Sequence, residues 1–341
     1  MKILIDIGHP AHVHFFKNFI WEMEKKGHKV LITARDKEIA LNLLKKYNIN
    51  FTRVGTQQSG KYHLLCEWIG RDFKILTIAR AFQPDILLGI GNPAIAHVAA
   101  MCRKPSIIFT DTEHATFSNS ITFPFARIIC TPTCYTKNIG PKQVRYQGYH
   151  ELAYLHPNYF TPNPAVLTEL GLKEGDPFII VRFVSWQASH DVGHHGILDK
   201  SGLVKKLEEY GRVFITSECD LPNELKSYRI KASPEKIHDL LYYALLYFGD
   251  SPTMTSESVL LGTPGICVSS WACNLGYLKD LSSKYDLLFC YNNEDIALNK
   301  AIDLLKTNNI KEAWKTKREK MLKDKIDVTM FMVTFIEEYF L

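Results

Sequence analysis

Short apolar runs alternate with segments of helical period along most of the chain. Residues 3–7 are mostly apolar, and 2–7 reads as a buried strand. Val13, Phe16, Ile20 and Met23 then recur at helical spacing, and Gly27 closes that helix. The pattern continues with a strand at 29–33, a helix at about 37–46, a strand at 51–54 and a longer helix at 63–82. Apolar runs at 86–88, 107–110 and 128–131 follow, the first of them leading into a small-residue helix opened by Asn92-Pro93.

The stretch "YHELAYLHPNYFTPNP" breaks this rhythm with three prolines and no helical period, and reads as a linker at about 150–164. The alternation then restarts, with strands at 178–184, 213–216, 247–249, 265–268 and 287–289. Helices are expected at 204–210 and at 233–243, the latter opened by Ser-Pro-Glu. Three more close the chain near 293–306, 310–324 and 326–340. Such alternation implies α/β architecture with parallel sheets covered on both faces.

At 341 residues the chain is about twice the usual domain size, so two domains are expected. We place them at 1–155 and 156–325, with a helix over 326–341 crossing back to the first, its stripe being Ile326, Phe331, Phe335 and Tyr339. The net charge of +5 suits an anionic ligand and carries no long basic arm, so nucleic acid is not expected. Eight cysteines without regular spacing read as reduced thiols in a cytoplasmic protein. An early Asp6 argues against a signal peptide, and no apolar run is long enough to span a membrane. The segment 61–82 mixes Leu64, Leu65, Trp68, Ile69, Phe73 and Leu76 with Lys61, Arg71, Lys74 and Arg80. That pattern fits burial against the first sheet, or a peripheral contact at the inner face of a membrane.

Ligands of parallel α/β sheets bind beyond the carboxyl ends of the strands, so the loops there are the places to look. In "DIGHPAHVHFF", Gly8 turns the chain and His12 falls in the first helical turn. There the helix dipole is expected to lower its pKa and keep it neutral, as a general base requires. His9 and His14 read as capping or packing residues, with His9 also lining the cleft expected between the domains. The loop "GIGNPAIA" brings Gly91 and Asn92 to that cleft, and "IIFTDTEHATFSN" brings Asp111, Glu113 and His114. The carboxylates are candidates for proton transfer.

In the second half, Arg182 ends a strand, and Ser185 and His190 follow in "VRFVSWQASHDVGHHG". His190, His194 and His195 lack an evident fourth ligand, so no metal is assigned. "GDSPTMTSESVLLGTPGICV" offers Ser251, Thr253 and Ser256 at a helix start, which suits a diphosphate. Glu257 lies one turn in, and its two oxygens match a vicinal diol.

These residues resemble the GT-B superfamily of nucleotide-sugar enzymes over nearly the whole chain. "PAHVHFF" is similar to the loop of the bacterial N-acetylglucosaminyltransferase that makes lipid II, with His12 at the place of its cleft histidine. "PDILLGIG" and "ATFSN" resemble its corresponding loops, and "SPTMTSESVLLGTPGICV" its donor motif, in which a glutamate at the place of Glu257 binds ribose. The nearest kin is expected in a GT-B-like family of unknown function from polysaccharide gene clusters. "GHPAH" is poorer in glycine than the transferase loop. The non-hydrolysing UDP-N-acetylglucosamine 2-epimerases share the fold but carry Gly-Thr-Arg-Pro-Glu first, where this chain has His9 in place of the arginine.

The resemblance implies two Rossmann-like domains facing a cleft. It further implies transfer of a sugar from a nucleotide sugar, UDP-linked, to a glycan or lipid-linked acceptor. On this reading Glu257 holds ribose, and Ser251, Thr253 and Ser256 hold the diphosphate. Arg182 or Ser185 neutralises the leaving group, with His190 beside them, and His12, Asp111 or Glu113 takes the acceptor proton. No cofactor is called for beyond the nucleotide-sugar substrate. A 2-epimerase and a non-catalytic sugar-nucleotide-binding protein are the alternatives.

Overall fold

The computed structural model describes residues 1–37, 39–56, 61–184 and 196–339, with 61–69 as helix backbone. It divides into two compact units, Met1–Tyr159 with Ile326–Leu341, and Phe160–Lys325. The boundary lies between residues 159 and 160 rather than at 155, because the start of the expected linker belongs to the first core. Tyr149, Leu152, Ala153, Tyr154 and Leu155 are all buried.

The first unit holds strands β1 Lys2–Ile7, β2 Lys29–Asp36, β3 Thr52–Thr56, β4 Ile86–Ile90, β5 Ser106–Phe109, β6 Ile128–Pro132 and β7 Gln143–Tyr146. They form a seven-stranded sheet in the order β3-β2-β1-β4-β5-β6-β7. The second unit holds β8 Phe178–Phe183, β9 Arg212–Ser217, β10 Leu246–Gly249, β11 Gly265–Val268 and β12 Leu288–Tyr291, in the order β12-β11-β10-β8-β9. Every pairing between these strands is parallel. Both faces of such sheets must be covered, which explains the apolar runs at 3–5 of β1, 86–88 of β4 and 107–109 of β5.

Helix Lys61–Phe82 puts Ile75, Leu76 and Ala79 into the core beside Leu4, Leu87 and Ile108, while Phe73 stays exposed. Its described side chains therefore fit sheet burial. Those of Lys61, Leu64, Leu65, Trp68 and Ile69 lie outside the described residues. Among the described residues no helix is long and apolar enough to cross a membrane.

The last helix, Val328–Tyr339, packs within the first unit. Its buried residues are Val328, Thr329, Met332, Val333 and Ile336, not the expected stripe, and Ile326 is exposed. Phe331 and Phe335 flank this face, Phe331 stacking on Tyr146 with ring centres 5.0 Å apart. The Thr329 hydroxyl and the Asn18 amide both donate to the Ala153 carbonyl, at 2.7 and 2.8 Å. In the second unit Cys273 and Cys290 form a disulfide, their Cα atoms 5.4 Å apart, which corrects the reading of all eight cysteines as thiols.

Candidate functional site

The candidate groups of each unit lie in loops that leave the carboxyl ends of its own strands. In the first unit the deepest of them is Asp6, wholly buried between Thr33 of β2 and Gly89 of β4. A buried carboxylate needs partners. Asp6 accepts from the Thr33 hydroxyl at 2.7 Å, from the Asn92 amide at 2.5 Å and from the Arg71 guanidinium. Asn92 in turn caps helix Pro93–Cys102, its Oδ1 accepting from the Ile95 amide at 3.3 Å. A Cβ at Gly89 would stand 2.9 Å from the Asn92 Cβ, so only glycine lets this asparagine reach Asp6. Asn92 is thus a structural tie rather than a free cleft-lining group.

Helix Pro10–Lys25 begins directly above. His9 is its N-cap, its Nδ1 accepting from the Ala11 amide at 3.2 Å. His14 is buried near Tyr47 and Tyr154. His12 Nδ1 accepts from the Gly8 amide at 3.3 Å. An amide can only donate, so neutral His12 carries its proton on Nε2. Its pKa is held well below the usual value, first by desolvation and then by the positive groups His9, Lys37, Arg71 and His150. The lowering matches the expectation from sequence, but burial leads it instead of the helix dipole.

Asp111 follows β5. It is paired with a residue that the sequence reading passed over, His150, whose Nδ1 stands 3.1 Å from Asp111 Oδ2. The Thr112 hydroxyl donates to Asp111 Oδ1 at 2.9 Å. Burial pushes the Asp111 pKa up, but the charge and hydrogen bond of His150 outweigh it, and the carboxyl is lowered overall. His150 is wedged against Phe15 and Tyr146, and its Nε2 has no hydrogen-bond partner. It fell in the supposed linker, and a His-Glu pair after Tyr149 gave no periodic signal.

Glu113 is held through one carboxylate oxygen, while its Oε2 has no hydrogen-bond partner. It is buried, and its Oε1 accepts from the Thr136 amide at 3.0 Å while its carbonyl accepts from Lys137 at 2.8 Å. It pins the loop that follows β6. His114 is exposed. Gly91 has φ +46 and offers its carbonyl to the Ser118 hydroxyl at 3.2 Å.

In the second unit β8 and β10 end side by side, Arg182 facing Gly249 in register. Arg182 Nη2 donates to Glu218 at 2.5 Å, so this guanidinium already has a carboxylate partner. Asp250 accepts from the Val184 amide at 2.8 Å. Ser251 caps helix Pro252–Leu260, accepting from the Met254 amide at 3.4 Å. Thr253 lies in the first turn. Ser256 is buried and gives its hydroxyl to the Thr253 carbonyl at 2.8 Å.

Glu257 is also buried, with Oε1 3.1 Å from Nε2 of His238, on helix Ile237–Tyr243. His238 is a second group not singled out from sequence, since it sits inside an ordinary amphipathic helix. Ser185 and His190 lie outside the described residues.

The family described as a protein of unknown function (DUF354) matches residues 1–339. An uncharacterized protein of Methanocaldococcus jannaschii, MJ0665, is 26% identical over 278 residues, which are 78% of this chain and 81% of that protein. Among solved structures, the UDP-GlcNAc 2-epimerase of Neisseria meningitidis bound to UDP-GlcNAc superposes with a TM-score of 0.69 at 14% identity, covering 99% of this chain and 100% of that one. The glycosyltransferase SsfS6 of Streptomyces sp. SF2575 gives 0.62 at 12% identity, covering 97% and 99%. At these identities the likeness shows the fold, which is GT-B.

Proposed function

The chain belongs to the DUF354 family, and from the groups set out above we propose that it is a glycosyltransferase. It moves a sugar from a nucleotide sugar, UDP-linked, to a hydroxyl of a glycan or lipid-linked acceptor in cell-surface polysaccharide or glycoconjugate synthesis. The reaction belongs in the cytoplasm, at or near the inner face of the membrane. The observation that carries the reading is the helix Pro252–Leu260. Its capped N-terminus opens at the carboxyl end of β10, and a buried carboxylate, Glu257, follows one turn in. The positive end of the helix suits a diphosphate and the carboxylate suits a ribose diol.

Each role is assigned within its own unit. In the second, Glu257 receives the ribose hydroxyls while His238 holds its orientation. The Thr253 amide and hydroxyl, at the positive end of helix Pro252–Leu260, take the diphosphate together with Ser251. Arg182, which Glu218 keeps oriented, offsets the charge that develops on the leaving group. In the first unit the proton acceptor is Asp111. His150 keeps it ionised at neutral pH, and Glu113, one of whose oxygens is held by the Thr136 amide, is the alternative. His12 keeps a catalytic place with an altered role: its Nε2–H donates to an oxygen of the sugar or acceptor as charge builds there.

The 2-epimerase reading is favoured by one observation. His12 and the Asp111–His150 pair stand near enough for His150 to act on the His12 charge, and proton exchange at a sugar carbon needs two such groups. Thermal unfolding of the full chain with UDP and UDP-sugars tests the shared premise of both. A raised midpoint that grows with ligand concentration supports it. No shift at millimolar ligand removes both enzymes.

A further inference from the structure

None of these roles uses the disulfide between Cys273 and Cys290. Cys290 of β12 stands directly opposite Cys267 of β11. Residues paired in this way put their side chains on the same face of a parallel sheet. Two contacts identify that face. Cys267 is hydrogen-bonded to Thr255, and a Cβ at Gly265, two residues before it, would stand 2.8 Å from the Ser258 hydroxyl. Thr255 and Ser258 both belong to helix Pro252–Leu260. The Cys290 side chain therefore lies on the face covered by the helix that carries Glu257.

Cys273 lies in the loop that leaves the carboxyl end of β11. At the start of this loop the Ser269 amide donates to the Tyr291 carbonyl at 2.9 Å. Further along, residues bond within the loop itself. The Trp271 and Ala272 amides donate to the Ser269 hydroxyl, at 3.3 and 3.1 Å, and the Asn274 amide to the Trp271 carbonyl at 3.1 Å. The disulfide adds a covalent tie from this turn to β12. Both cysteines keep part of their surface in solvent. Cys102, Cys130, Cys134, Cys219 and Cys267 are thiols. Burial pushes the Cys267 thiol up to about 12, so it stays protonated and does not attack the neighbouring bond. In the cytoplasm, where the proposed reaction takes place, a disulfide is opened and remade rather than permanent.

We infer that Cys273 and Cys290 form a reversible thiol–disulfide site that sets the order of loop 269–275 and, through it, the affinity for the nucleotide. The exchange partner is a low-molecular-weight thiol. Its thiolate attacks one sulfur, the S–S bond breaks, and the other cysteine leaves as a thiolate that takes up a proton. A second thiol molecule attacks the mixed disulfide and releases the first cysteine with a small disulfide. The protein gains two electrons and two protons, and the two small thiols lose them. The small disulfide closes the bond by the reverse steps. The effect on nucleotide rests on the donor-site reading above. Ligands sit beyond the carboxyl ends of such strands, and a loop already ordered there loses less freedom on binding.

The test compares the full chain oxidised with glutathione disulfide, reduced with dithiothreitol in the absence of denaturant, and reoxidised. Peptide mass spectrometry should find Cys273 joined to Cys290 in the first and third samples and both alkylated in the second. Amide exchange over 269–275, measured without nucleotide, should quicken about tenfold or more on reduction and recover on reoxidation. Cys273→Ser should show the faster exchange in every sample. UDP should bind the reduced chain and Cys273→Ser several-fold more weakly than the oxidised chain. No bond in the oxidised chain, a bond that opens only in denaturant, equal exchange in both forms, or equal UDP affinity in both would overturn the inference. Exchange that responds while UDP binds neither form would leave the thiol–disulfide site standing and remove the nucleotide reading.

Discussion

Replacing Glu257 with glutamine asks whether this carboxylate anchors a ribose or merely packs. Its side chain is buried, and Oε1 is 3.1 Å from His238. Alanine would strand the buried imidazole and confuse binding with folding. Glutamine keeps the volume and an acceptor for His238 while removing the charge. Hydrogen bonds to a charged group contribute about 1.5–3 kcal/mol, which is roughly a 10- to 150-fold change in Kd. Calorimetric titration of Glu257→Gln should therefore give weaker binding of UDP by about that factor. Uridine, which has the ribose and no phosphate, should lose about as much. Thr253→Val should weaken UDP and spare uridine, since its hydroxyl is assigned to phosphate. A folded Glu257→Gln protein with wild-type affinity for both ligands would refute the assignment.

Three further outcomes follow from the geometry. Asp111→Asn should lower turnover, followed by UDP release, about a hundredfold or more, with UDP affinity unchanged, as for loss of a proton acceptor. His12 is neutral in the fold while the unfolded chain protonates near pH 6.5, so its contribution to stability is present above that pH and declines as pH falls below it. Chemical unfolding at pH 7.5 and pH 5 should accordingly show a smaller loss for His12→Gln than for the wild type. Gly148→Ala would place a Cβ 2.6 Å from Val328 on the last helix, and calorimetry should find a destabilisation of about 1–3 kcal/mol from overpacking.

The strands with buried faces were legible because parallel sheets demand apolar runs. Strand β7 was not: its sequence, QVRY, is short, and only Tyr146 in it is buried. The same holds for Leu152–Leu155, a single helical turn too short to show a period yet buried throughout. The candidate loops are read from strand ends, and with them Gly8, His12, Asp111 and Glu257. Their partners were not. His150 and His238 lie 39 and 19 residues from the carboxylates they meet, and pairing across the fold leaves no trace in local sequence. The state of each candidate was equally hidden. Glu113 Oε1 accepts from the Thr136 amide and the Ser256 hydroxyl donates to the Thr253 carbonyl, bonds that local sequence does not show.

The central claim is transfer of a sugar from a nucleotide donor, and proton NMR in deuterated water tests it most directly. The chain is incubated with UDP-N-acetylglucosamine, alone and then with a panel of glycan and lipid-linked acceptors. The account predicts UDP release and a new glycosidic anomeric signal only when a suitable acceptor is present, with the C2 proton of the sugar retained throughout. Deuterium appearing at C2 in the absence of any acceptor would contradict it.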